Sequence, residues 1–82
     1  MGKREERIQK RRNSIIECLR KHGAFDVEHG MTIKDIANKL DESESVIRND
    51  LLALQAEGIE RDSKRIPNVF WLAKKMEKST KN

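Results

Sequence analysis

Four residues carry chemistry at a telling spacing in "SESVIRNDLLALQAEG", residues 43–58: Ser45, Arg48, Asn49 and Leu52. Steps of three and four residues place them along one face of a helix. Arg can pair bidentately with guanine, and Asn with adenine. Ser can bond either kind of base edge, and an apolar side chain can meet a thymine methyl. Each good bidentate pair is worth about 1–3 kcal/mol of base discrimination. Ile47, Leu51 and Leu54 form a second stripe, which would anchor the same helix to a core. The plainer alternative is that the polar face is only the wet side of an ordinary helix.

Other chemistries find little support. Cys18 is the only cysteine, so no intrachain disulfide can form, which fits a reducing, cytoplasmic setting. His22 and His29 with Cys18 lack structural-zinc spacing, so no metal is expected. No nucleophile–base pairing, glycine-rich phosphate loop or paired-carboxylate motif stands out, so neither an enzyme nor a cofactor is expected. No stretch nears the roughly 18 apolar residues of a membrane span, and the charged "MGKREERIQKRRN" leads into no apolar run. "MGKREE" has Glu6 where myristoylation expects Ser or Thr.

The elements that must position the stripe follow from periodicity and caps. With 82 residues the chain supports one small domain. Residues 1–13 read as a basic arm or a helical extension. Ser14 and Glu17 have capping-box spacing, Ile15, Ile16 and Leu19 share a face, and Gly23 supplies a stop, giving a helix at about 14–22 or one that begins earlier. Residues 23–31 lack a helical period and read as a loop, with Phe25, Val27 and Met31 as core plugs. Thr32 can cap a helix over about 33–40, built on Ile33, Ile36, Ala37 and Leu40. After the break at 41–43, with Ser43 as cap, a helix runs over about 44–57 and stops at Gly58. "IERD" and "VFWLA" then read as a two-stranded hairpin around "SKRIPN", where Pro67 excludes a regular central strand. Trp71 reads as a core anchor. Residues 74–82 form a basic tail or a frayed helix.

This order is helix, helix, short turn, longer helix, hairpin. It is mainly α with a small β hairpin: a winged helix-turn-helix of three helices and a two-stranded wing over residues 14–73. The second helix of such a unit can enter a major groove while other elements hold the backbone.

Here the residues reach a resemblance. "RRNSIIECLRKHG…MTIKDIANKLDESESVIRNDLLALQAEGI" resembles the N-terminal winged helix of DeoR-type repressors. The tightest part is Ser43-x-x-Val46-Ile47-Arg48-x-Asp50-Leu51-x-x-Leu54, with Val46 where that family has Thr. The closing "VFWLA" is more similar to single-domain FaeA/PapI-type regulators, whose wing also ends in a Trp-containing strand. The resemblance covers roughly residues 11–73 and implies roles at DNA for Ser45, Arg48 and Asn49. The sugar-phosphate effector domain of the DeoR type has no counterpart, so no inducer site carries over. The family turn, commonly Leu-Gly-Val-Ser, is Leu40-Asp41-Glu42-Ser43 here. Asp tolerates the left-handed conformation of Gly, whereas Glu42 replaces an apolar plug and implies looser packing. The winged helices that bind Z-DNA fit poorly, because alignment on Gly58 puts Arg48 and Leu52 where they use Asn and Tyr.

Charge sharpens the expectation. The net charge is +4. Residues 1–21 carry eight bases against three acids, residues 22–60 three against nine, and residues 61–82 seven against two. Basic ends suit a polyanion, although charged termini also simply keep small proteins soluble. The segment 32–57 nets −3, which repels phosphate. Phosphate contacts are therefore expected from Arg11, Arg12, Lys34, Lys64 and Arg65, and Asp50 is expected to pair with a basic side chain. The resulting expectation is a double-stranded DNA-binding transcriptional regulator, cytoplasmic or on the nucleoid, and a monomer or weak homodimer. The rival is a docking module or co-regulator whose acidic middle meets a second regulatory protein. A weaker rival is an RNA-binding winged helix. Val69 and Phe70 are the apolar residues expected to be free for an interface.

Overall fold

The computed structural model describes residues 3–73; the expected tail at 74–82 lies outside them. The first helix, α1, runs Lys3–His22, so of the two expected readings the earlier start holds and the basic segment is a helical extension and not a separate arm. No Gly or Pro interrupts these residues, and most of 3–12 are good helix formers. Glu5 and Glu6 in the first turn, with Arg20, Lys21 and His22 in the last, complement the helix dipole. Ser14 therefore sits mid-helix and does not cap. The stop at Gly23 is as expected: its φ of +79° turns the chain, and Ala24 N–H bonds the Leu19 carbonyl at 2.9 Å while Gly23 N–H bonds Arg20 at 3.1 Å.

The loop that follows contains a single 3-10 turn over Val27–His29, capped by Asp26. It leads into β1, Met31–Thr32, a strand that the sequence did not disclose. Thr32 also caps α2, Ile33–Leu40. Its hydroxyl accepts from Asp35 N–H at 3.1 Å, and the Asp35 carboxylate accepts from Thr32 N–H at 3.4 Å. Asp41 ends α2 in the left-handed region at φ 58°, as its side chain permits. Ser43 accepts from Val46 N–H at 3.3 Å and opens α3, Glu44–Gln55.

Strands β2 (Ile59–Asp62) and β3 (Val69–Leu72) form the hairpin. Thr32 pairs with Val69 and Met31 with Phe70, so β1 joins them in a three-stranded antiparallel sheet ordered β1-β3-β2. The fold is three helices with a small antiparallel sheet.

The core lies where the helices meet the sheet. Ile15 and Leu19 of α1, Ile36 and Ala37 of α2, and Ile47, Leu51 and Leu54 of α3 are buried with Met31, Ile59, Phe70 and Leu72. Each large apolar side chain so buried contributes about 1.5–3 kcal/mol. Trp71 and Phe25 are half-buried against this cluster, and Val27 is half-buried outside it. Because β3 is the central strand, Phe70 is buried and Val69 half-buried, so the expectation that they are free for an interface is corrected.

Candidate nucleic-acid interface

The two stripes of α3 separate cleanly. Ile47, Leu51 and Leu54 are buried, while Ser45, Arg48, Asn49 and Leu52 are exposed. Leu52 is 46% exposed, a large apolar side chain left in water beside the polar three. Ser45 lies two residues beyond the Ser43 cap, so the stripe begins at the N-terminal end of α3. That end carries the partial positive charge of the helix dipole.

The remaining expected residues fall on other elements. Lys34 is exposed in the first turn of α2, and Lys64 and Arg65 are exposed at the hairpin tip. Lys64 N–H bonds the Asp62 carboxylate at 3.0 Å, and Arg65 Nε lies 3.4 Å from the same carboxylate. The tip is thus organised around Asp62.

Arg11 and Arg12 are placed differently. Both reach from α1 to Asp50 on the buried side of α3. Arg11 Nε bonds Asp50 Oδ2 closely, Arg11 Nη2 bonds Oδ1 at 3.1 Å, and Arg12 Nε bonds Oδ1 at 3.1 Å. The carboxylate is almost fully buried, while a quarter of each arginine side chain stays exposed. Burial by itself would raise the Asp50 carboxyl. The hydrogen bonds and charge of Arg11 and Arg12 outweigh it and hold the group below its usual range. The bond to Asp50 in turn raises Arg11. Asp50 was legible as a residue needing a cation, but consecutive arginines some 38 positions away gave no local sign that they were its partners.

This pairing changes the charge balance of the helix-turn-helix. Asp50 is removed from the surface and neutralised. Glu42 lines a groove of about 250 Å³ with Arg7, Lys10 and Arg11. Asp35 is engaged in the α2 cap. Asp41, Glu44 and Glu57 are the remaining exposed acids of the segment, and no ion pair among the described residues engages them.

Elsewhere, a groove of about 550 Å³ runs between α1 and the end of α2, lined by Ser14, Cys18, Lys21, His22, Lys39 and Leu40 among others. None of the α3 stripe or the hairpin lines it. Burial pushes the Cys18 thiol up, with Lys39 opposing, and Sγ lies 3.9 Å from Met31 Sδ. His29 Nδ1 is 2.8 Å from Asp26, whose carboxyl that bond lowers. Among the described residues no group of three or more His, Cys, Asp or Glu is placed to hold a metal, and no helix is long and apolar enough to cross a membrane.

The chain matches no protein-family model, no curated protein and no solved structure.

Proposed function

We propose that the protein binds double-stranded DNA and regulates transcription, with α3 in the major groove and the hairpin on the flanking backbone or minor groove. The observation that carries this reading is the exposed stripe Ser45, Arg48, Asn49 and Leu52, set opposite the buried anchor of the same helix. Arg48 and Asn49 offer the bidentate forks that distinguish guanine and adenine, and Leu52 offers a methyl contact. Lys34, Lys64 and Arg65 supply phosphate contacts. Arg11 and Arg12 serve first as partners of Asp50 and reach phosphate only through their exposed quarter. The burial of Asp50 supports the reading too, since it lessens the acid that the module would turn toward DNA.

The rival reading has its own observation. Asp41, Glu42 and Glu44 are exposed together at the turn and suit a basic protein partner. Salt separates the two. Three or four phosphate contacts give a slope of log affinity against log salt of about −2.7 to −3.6. The test is fluorescence anisotropy with random-sequence duplex at two salt concentrations, on wild type and on the Arg48→Ala, Lys64→Ala double variant. Binding that weakens with salt, and that the double variant loses in part, is expected. Affinity untouched by the double variant would show that this surface is wrongly assigned.

A further inference from the structure

Ile66 is 95% exposed, and among the described residues only one other large apolar side chain, Leu52, is exposed. The two sit on the two elements that the proposed function turns toward DNA: Leu52 on the stripe of α3, Ile66 at the hairpin tip. Single exposed apolar residues are common on protein surfaces; what sets Ile66 apart is its place, almost wholly in water at the tip of an element that the proposed function turns toward DNA.

The surroundings of Ile66 narrow what it could meet there. Residues 63–67 are exposed throughout, beyond the last strand pair, Asp62 with Val69. Lys64 and Arg65 immediately precede Ile66, and Asp62, the one acid of the tip, is engaged by Lys64 N–H and Arg65 Nε. The tip is therefore an exposed apolar side chain beside two exposed cations, held in shape at its base. A protein-binding patch needs a few hundred Å² of contiguous apolar surface, which one side chain cannot supply. A wedge between base pairs needs only one side chain. Minor-groove proteins insert Ile, Leu, Phe, Met or Pro between base steps, unstack them and kink the duplex by about 20–90°. Lys64 and Arg65 would hold phosphate beside the groove.

We infer that Ile66 is a wedge that enters the minor groove and bends the DNA while α3 occupies the adjacent major groove. This rests on the proposed DNA binding, and it adds a consequence that binding alone does not have. The protein would then prefer sites with flexible pyrimidine–purine steps under the tip, read through deformability and not through base edges.

The test uses a duplex of about 30 base pairs containing T-A steps and carrying a donor and an acceptor dye at its ends. Binding is followed by anisotropy and bending by energy transfer, for wild type, Ile66→Ala and Ile66→Leu. Because Ile66 is almost wholly exposed, neither substitution should disturb folding, and far-ultraviolet dichroism checks this. Wild type is expected to bend the duplex by about 20° or more. Ile66→Ala is expected to bind with at most a few-fold weaker affinity but with most of the bend lost, and Ile66→Leu to restore it. If wild type binds without bending, or Ile66→Ala bends the duplex as wild type does, the wedge is overturned and DNA binding stands. If wild type does not bind the duplex at low salt, the proposed function fails and the wedge with it.

Discussion

Removing the two arginines from Asp50 should cost more than removing Asp50 itself. The buried member of the cluster is the carboxylate, whereas Arg11 and Arg12 each keep a quarter of the side chain in water. Asp50→Asn takes the buried charge away. It leaves an amide facing donors on both sides, so some hydrogen bonds are lost and about 1–3 kcal/mol of stability with them. The released guanidiniums turn toward solvent. The double variant Arg11→Met, Arg12→Met keeps the apolar stems but strands a buried carboxylate, and stranding one partner of a buried pair costs about 3–5 kcal/mol. A chain of 82 residues holds about 4–12 kcal/mol in all. The double variant should therefore sit near the edge of folding, while Asp50→Asn stays folded with a melting temperature lowered by about 4–8 °C per kcal/mol.

Acid supplies a second readout of opposite sign in the two proteins. In wild type the folded carboxyl lies below its unfolded value of about 3.9. Its contribution is complete above that value and is lost as pH falls through the folded one. With the arginines gone, burial alone acts and raises the folded carboxyl above the unfolded value. The penalty is then full at neutral pH and eases as pH falls through the raised value. The assay is urea unfolding followed by far-ultraviolet dichroism and by fluorescence of the single Trp71, at neutral pH and near pH 5. Two results would sink the reasoning: Asp50→Asn costing as much as the double variant, or the gap between wild type and the double variant failing to narrow on acidification.

Glycine substitutions should separate crowding from backbone strain. A Cβ at position 30 would lie 2.3 Å from Val69 Cγ1 and 2.7 Å from the Phe70 carbonyl, so Gly30→Ala should cost about 1–3 kcal/mol in urea unfolding, and Asn there should fare no better. At Gly23 nothing lies within 4 Å, and the cost of Ala is the φ of +79° alone, about 1–2 kcal/mol, part of which Asn should recover. A neutral Gly30→Ala would mean that β1 does not approach β3 as closely as described. Thr32→Ala removes the acceptor of Asp35 N–H and should lower stability by about 0.5–2 kcal/mol in the same measurement; a melting curve that did not move would show that the α2 cap is idle.

The parts of the fold that sequence disclosed are those set by neighbours in the chain. Helix α2 was legible to its ends because four apolar residues keep one period between a Thr cap and a left-handed Asp. The start of α3 was legible for the same reason. Its end falls two residues before the expected 57, because Ala56 and Glu57 bond back three residues, to Ala53 and Leu54, and close the helix with a tight turn. The missed features depend on distant partners. Strand β1 is two residues long and exists only because β3 lies beside it. The start of α1 was hidden because its first turns carry little apolar pattern. Its tether to the body is the pair Arg11 and Arg12, whose partner lies on α3. At the candidate interface, the stripe on α3 was visible as a periodicity. Ile66 was not, since exposure of an apolar residue in a turn leaves no mark in a sequence pattern.

Strand β3 comes last among the described elements, yet it lies in the middle of the sheet and meets β1 on one side and β2 on the other. Its end also ties back to early chain, with Leu72 N–H on the Ala24 carbonyl at 2.8 Å and Ala73 N–H on Gly58 at 2.9 Å. During synthesis, then, the helices emerge first, and no strand of the sheet can find its partner until residues 69–72 arrive. Helices form quickly from near neighbours, whereas pairings that close long loops are slow. A nascent chain stopped before residue 69 would carry all three helices and none of the sheet. The buried cluster would lack Phe70 and Leu72, and its other members, Met31 opposite Phe70 among them, would stand open to chaperones and proteases. Completion of the fold is thus timed by one late four-residue segment.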